Sequence, residues 1–338
     1  MTVAEAEAFA INILSANGLV EHQAGPIARA MALAEAAEVR SHGLYRLIGY
    51  VGSIRSGRVN PSARPQLQTI AGSFLRVDGD NGFAPAAHGI GAPALIEAAR
   101  TNGIAALALT NCYHFSALWH DLDPLVNAGL ACWAFTLGQC IVAPHGGTRR
   151  LMGTNPIAFG WPREGEDPFL FDFATSVVAR GEIELMRRAG KDLPEGWGLD
   201  AAGMPTRDPQ AALAGALLPF GGYKGSALSM MVELLAGPLI GEPTSLEAAA
   251  LDNGDGGPPL GGELLIAMSP DLFNRGLAND WRQQAEMFFA EARKQPGLRL
   301  PSDRRHGALR HNAEAGIRIS KALLEELTNL ASPGLQYY

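Results

Sequence analysis

From residue 66 onward the apolar pattern of this chain repeatedly changes period, and few folds accommodate such a pattern. Residues 67–77 contain strand-like stretches and end at the turn signal Asp78-Gly79-Asp80-Asn81-Gly82. Residues 104–110, 130–137, 156–161 and 169–173 have strand length and are bounded by Pro, Gly or Asp. Between them, residues 93–100, stopped by Asn102-Gly103, and residues 117–128 have the composition of helices. Helical periodicity returns at 226–239, 281–294 and 314–330, while 252–262 is a Gly and Pro loop. The opening is helical: residues 5–15 and 24–37, broken at Gly18, and then 44–54 with apolar positions close to a 3.6-residue repeat. The expected class is mixed α/β.

A chain of 338 residues suggests two domains when one domain takes about 150 residues. With 47% hydrophobic and 18% charged residues it can bury large cores and is no candidate for disorder. A formal charge of -7, with no basic run, excludes a nucleic-acid surface. The three cysteines, Cys112, Cys132 and Cys140, form no disulfide framework, and their spacing matches no zinc motif, so no metal is expected. The first residues lack the charged and apolar regions of a signal peptide, and no 18-residue apolar run occurs, so a cytoplasmic protein is expected. Forty glycines indicate many loops with unusual backbone angles or close approach to a ligand.

The densest chemistry lies in Glu38-Val39-Arg40-Ser41-His42-Gly43-Leu44-Tyr45-Arg46. Ser41 is a good N-cap for the helix that follows, but a cap explains neither the adjacent imidazole nor Arg46 one helical turn beyond it. A histidine exchanges a proton near neutral pH and an arginine holds a carboxylate through two hydrogen bonds, so the pair points to a small acid reacting beside its carboxylate. Gly89-Ile90-Gly91-Ala92-Pro93-Ala94 matches the dinucleotide fingerprint on paper. It follows no strand, and no acidic residue stands about twenty positions on, so any dinucleotide binds by another route. His114 and His120 are too far apart in sequence for one helix face, which argues against a metal pair. Their loop, between a strand and a helix, is a common ligand position. Gly221-Gly222-Tyr223-Lys224-Gly225-Ser226 precedes a helix and offers N–H groups to a phosphate without being a P-loop. Arg299-Leu300-Pro301-Ser302-Asp303-Arg304-Arg305 is either a solvated loop or a phosphate clamp.

Ser41-His42-Gly43 with Arg46, Gly153-Thr154-Asn155-Pro156-Ile157-Ala158-Phe159, Asp172-Phe173-Ala174-Thr175-Ser176, Ala179-Arg180-Gly181 and Gly221-Gly222-Tyr223-Lys224-Gly225 occur in that order. With these motifs the chain resembles the malate/L-lactate dehydrogenase family of NAD(P)H-dependent 2-oxoacid reductases, which is unrelated to the Rossmann-type malate and lactate dehydrogenases. The resemblance covers essentially the whole chain. It implies a homodimer and a non-Rossmann cofactor domain with a mostly antiparallel sheet. That domain would span residues 119–294, and a helical or mixed domain carrying the catalytic His would be built from 1–118 with 295–338. Residues 111–118 and the acidic Glu182 are most similar to the branch that reduces Δ1-piperideine-2-carboxylate and Δ1-pyrroline-2-carboxylate to L-pipecolate and L-proline. From that branch Ser41, His42 and Glu182 inherit a proton relay, with Glu in place of the branch's Asp. Arg46, Thr154 and Arg180 inherit substrate contacts. His114, Phe115, Ser116, Ala117, Leu118, Asp172, Phe173, Ala174, Gly222, Tyr223 and residues 299–305 inherit the NADPH site, NADH being a weaker possibility. A carboxylate at Glu182 would favour a cationic iminium, where the Lys of many malate-type members would repel it. The alternatives are a malate-, lactate- or ureidoglycolate-type dehydrogenase and a non-enzymatic binding protein, the latter having no need of a relay.

Overall fold

The computed structural model describes residues 1–331, so residues 332–338 of the expected C-terminal segment lie outside the described residues. Helices α1 (Val3–Ala16) and α2 (Glu21–Ala36) lead into two single 3-10 turns, Arg40–His42 and Leu44–Arg46, and then α3 (Leu47–Arg55). Strands β1 (Gln66–Ala71) and β2 (Phe74–Phe83), helix α4 (Ala84–Asn102), β3 (Ile104–Tyr113) and α5 (Leu118–Asn127) follow. Next come β4 (Ala131–Thr136), β5 (Ile157–Trp161), β6 (Phe169–Phe173) and α6 (Arg180–Arg188). The two-residue strands β7 (Gly198–Leu199), β8 (Pro205–Thr206) and β9 (Ala216–Leu217) frame α7 (Pro209–Ala214). Helices α8 (Tyr223–Ala236) and α9 (Ser245–Ala250), strand β10 (Glu263–Met268) and helices α10 (Pro270–Phe273), α11 (Trp281–Arg293), α12 (Asp303–Ala315) and α13 (Lys321–Leu330) complete the chain.

A seven-stranded sheet in the order β1-β2-β3-β10-β4-β5-β6 forms the centre. Only β2 and β3 pair in parallel, joined by α4 as a crossover; every other neighbour is antiparallel. Successive side chains of a strand face opposite ways. Thus Leu107, Leu109 and Leu265 join α4 and α5 in one core, while Ala108 and Leu264 pack with Val232 and Ala236 of α8 in another. A third core gathers α1, α2, α3 and α13. No helix among the described residues is long and apolar enough to cross a membrane.

Four local expectations require correction. The turn signal at residues 78–82 does not end a strand. It is a bulge with Asp80 and Asn81 at φ 53° and 54°, and β2 continues to the fully buried Phe83. The helix expected over 93–100 begins at Ala84 directly after β2, so Gly89 and Gly91 lie inside α4, and a Cβ at Gly91 would come within 2.6 Å of Leu107 Cδ2. The second glycine of the apparent fingerprint therefore lets the helix lie on β3. The expected helix 314–330 is two helices, because Gly316 at φ 79° ends α12 and Ser320 caps α13. Finally, β10 was not anticipated. It runs only from Glu263 to Met268, opens on a charged residue and follows a Gly and Pro loop, yet it pairs with β3 on one side and β4 on the other.

Candidate active site

The chain brings most of its sequence-marked residues to one cavity of about 300 Å³. His42 and Arg46 enter it from the 3-10 turns, His114, Phe115, Ser116 and Leu118 from the segment joining β3 to α5, and Thr154 from the segment before β5. Asp172, Phe173 and Ala174 come from the end of β6, Arg180 from the first turn of α6, and Arg304 and Arg305 from α12.

Ser41 is buried and does not cap a helix; it sits within the first 3-10 turn and meets His42 Nδ1 with its Oγ at 3.2 Å. The His42 ring stacks on Phe115 with centroids 4.8 Å apart, and Phe115 is itself pinned by a 2.6 Å hydrogen bond from Tyr50 Oη to its carbonyl. Burial, reinforced by Arg46 and His114, pushes the His42 imidazole down to about 3, so it is neutral at pH 7.

Arg46 Nε donates to the Ser41 carbonyl at 2.7 Å, and the guanidinium lies 3.8 Å from the Phe115 ring centroid and 4.9 Å from that of Tyr45. A side chain at Gly181 would intrude on it, since a Cβ there would stand 2.7 Å from Arg46 Nη2. That contact explains the glycine in Ala179-Arg180-Gly181. Among the described residues Arg46 forms no ion pair. Glu184, which acts on it electrostatically, is tied instead to Arg187 and Arg188 at 2.7 and 3.2 Å. Burial pulls Arg46 down to about 10, which still leaves it a cation. The cavity therefore holds a recessed cation without a counter-ion, beside a neutral imidazole.

Thr154 is positioned by a buried network. Its carbonyl accepts from Thr175 N and Oγ1 at 2.9 and 3.1 Å. Its neighbour Asn155, at φ 39°, donates from Nδ2 to Glu233 Oε1 at 2.8 Å and accepts from Gly138 N at 3.2 Å. Asp172 lies near the end of β6. Its carboxylate accepts from Arg305 Nη2 at 2.8 Å, and burial raises its pKa against the pull of Arg305. Arg305 lies 4.8 Å from the Trp119 ring centroid, and its Nη1 is buried without a hydrogen-bond partner.

Other expected site residues lie elsewhere. Glu182 is exposed on the first turn of α6 and does not line the cavity, although its neighbours Arg180 and Gly181 do. The geometry of this chain therefore does not bring Glu182 to His42, and the charge argument built on it loses its footing. Gly222 and Tyr223 open α8 outside the cavity lining; Tyr223 is 66% exposed and Gly222 packs against His145. Of residues 299–305 only the last two arginines reach the cavity. Arg299 and Pro301 are exposed and Leu300 is buried, Ser302 Oγ donates to the Pro168 carbonyl, and Asp303 pairs with Arg293 at 3.2 Å. Ala117 is buried just before α5 and does not line the cavity.

Sequence reasoning missed another part of the lining, made by Thr136 at the end of β4, Gly138 and Gln139 just after it, and Gly256, Gly257 and Pro259. A Cβ at Gly138 would collide with Thr154, and one at Gly257 with Ser53. The glycine excess was the available signal, but nothing in the sequence said which glycines mattered. Also missed were Asp121 and Glu263, buried acids beside His114. Burial and the Glu263 carboxylate push the Asp121 carboxyl well above the usual range.

The sheet and cavity belong with a whole-chain family match. The profile of the malate/L-lactate dehydrogenase family covers residues 1–328, and the chain belongs to that family. It is 57% identical to a Δ1-pyrroline-2-carboxylate reductase of Ancylobacter novellus, over 99% of this chain and 98% of that one. It is 48% identical to a Δ1-pyrroline-2-carboxylate/Δ1-piperideine-2-carboxylate reductase of Pseudomonas aeruginosa, over 98% of each. The crystal structure of Δ1-piperideine-2-carboxylate reductase from Pseudomonas syringae pv. tomato superposes with a TM-score of 0.93 at 39% identity, covering 98% of this chain and 99% of that one.

Proposed function

We propose that this protein reduces cyclic imino acids, Δ1-pyrroline-2-carboxylate to L-proline and Δ1-piperideine-2-carboxylate to L-pipecolate, with NADPH as reductant. The observation that carries the reading is Arg46, a cation recessed in the cavity with no carboxylate of its own. A 2-carboxylate supplied by the substrate completes that pair through a charge-assisted contact worth about 1.5–3 kcal/mol. Relatives 57% and 48% identical that carry these two substrates in their names support the choice of ring. NADPH fits the residues present: Arg305 Nη1 is a buried donor lacking an acceptor, and Arg304 beside it adds a second cation for a phosphate. The cofactor domain is read as non-Rossmann, since the apparent fingerprint lies inside α4. The 1–118 with 295–338 and 119–294 division, a homodimer and a cytoplasmic location belong to the same reading.

When bound, the cofactor supplies hydride to C2 of the ring C=N. The protein binds and orients the substrate. Arg46 fixes the carboxylate and thereby the position of C2, with Thr154 and Arg180 on the adjoining wall. His42, neutral and held by Ser41 and Phe115, can pass a proton from one ring nitrogen to the substrate nitrogen while taking one at Nδ1 from Ser41 Oγ, so the imidazole itself stays neutral. The test is product identity. Incubation with NADPH and Δ1-pyrroline-2-carboxylate should give L-proline in step with cofactor consumed, and no consumption with either imine overturns the proposal.

A further inference from the structure

Behind the cavity wall three buried side chains from distant segments converge: His114 at the end of β3, Asp121 in α5 and Glu263 at the head of β10. They are 4%, 3% and 0% exposed. His114 Nε2 lies 3.3 Å from Glu263 Oε2 and 3.8 Å from Asp121 Oδ2, and the three donor atoms all fall within 4.8 Å of one another. Neither Glu263 oxygen, nor Asp121 Oδ2, has a hydrogen-bond partner among the described residues. Buried carboxyl oxygens in that state are costly unless a proton or a metal ion sits between them.

The separations indicate what that is. An N–H···O hydrogen bond would draw the imidazole to about 2.7–3.2 Å of an oxygen, and a bridging water about 2.8 Å from each atom would hold the pair roughly 4.6 Å apart. Two ligands about 2.0–2.2 Å from a common ion at near-tetrahedral angles stand roughly 3.3–3.6 Å apart. The 3.3 Å separation falls in that range and the 3.8 Å separation lies just beyond it, between the spacing of a hydrogen bond and that of a bridging water. An imidazole nitrogen and two carboxyl oxygens are also a donor set that suits a divalent ion. Ser116 Oγ donates to the other Asp121 oxygen, Oδ1, at 3.1 Å, the kind of outer partner that orients a metal-binding carboxylate. His114 and Ser116 both line the cavity, which gives an ion its way in.

We propose that His114 Nε2, Asp121 Oδ2 and Glu263 Oε2 bind one first-row divalent cation, with Zn²⁺ and Mn²⁺ the ions that suit one nitrogen and two carboxylate oxygens. The ion ties β3, α5 and β10 together behind the active-site wall and takes no part in hydride transfer. This site does not depend on the imine-reductase reading, and its test needs no turnover. The chain is stripped with chelator, equilibrated separately with ZnCl₂ and MnCl₂, dialysed, and its metal content measured alongside thermal unfolding. The expected result is about one ion per chain with either metal and a higher Tm that chelator reverses. Ser116→Ala should weaken binding roughly 10- to 100-fold, and Glu263→Gln and Asp121→Asn should lose the ion. Wild-type protein that retains neither metal overturns the proposal, as does Glu263→Gln retaining the full amount. If the ligand variants do not fold, anomalous scattering from metal-loaded wild-type crystals decides: a peak between the three side chains upholds the site and a peak elsewhere refutes it.

Discussion

Burial lowers the pKa of both Arg46 and His42, yet leaves the first charged and the second neutral at pH 7. Arg46→Gln removes the substrate's counter-ion, so KM for the imino acid should rise about 10- to 100-fold, with a smaller change in KM for the cofactor. A steady-state titration of both substrates checks this. For His42→Ala turnover should fall roughly 10²- to 10⁴-fold with the fold intact, and a loss under about tenfold would remove its proton role. Glu182 is exposed, so Glu182→Gln should stay within about 0.5 kcal/mol of wild type, as surface changes do; a collapse of activity would mean that it reaches the site after all. His42 and His120, whose pKa values burial lowers to about 3 and about 4, take up protons only on unfolding. Their stability contribution is full above pH 6.5 and is lost as pH falls towards 4, by about 1.4 kcal/mol per pH unit for each group. Buried acids such as Asp121 and Asp172, with raised pKa values, act in the other direction. The readout is therefore the difference in denaturant midpoint between wild type and His120→Gln at pH 7.5 and 5.0, which should shrink at the lower pH.

At the scale of elements, the close approach of α4 to β3 rests on Gly91, where a Cβ would meet Leu107. Gly91→Val should overpack that contact and cost about 1–3 kcal/mol, read as a lower Tm. Strands with an apolar run, such as β3 and β4, were legible because both faces of the sheet bury them. The central β10 was not, since its first residue is a carboxylate whose partners, His114 and Asp121, are remote in sequence. Local periodicity has no access to such a pairing. The site followed the same rule. His42 and Arg46 were readable because only four positions separate them, although they sit in two successive 3-10 turns rather than on one helix, and the motifs at Thr154, Asp172 and Arg180 through resemblance to the family. The walls at Gly138 and Gly257, and the outward turn of Glu182, depend on packing between segments and had no sequence signal.

For the whole molecule, the proposed function has a family fold whose cavity presents Arg46, with Arg180 beside it, to a substrate carboxylate, and Arg304 and Arg305 to the cofactor. Measured at low ionic strength, the preference for NADPH over NADH should be clear, and it should narrow as salt screens Arg304 and Arg305. The most direct measurement of the central claim is kcat/KM with NADPH for Δ1-pyrroline-2-carboxylate, Δ1-piperideine-2-carboxylate, pyruvate and oxaloacetate, using one enzyme preparation. Both cyclic imines should exceed both 2-oxoacids by about 100-fold or more, equivalent to about 2.7 kcal/mol of transition-state discrimination. A 2-oxoacid reduced as well as either imine would contradict it.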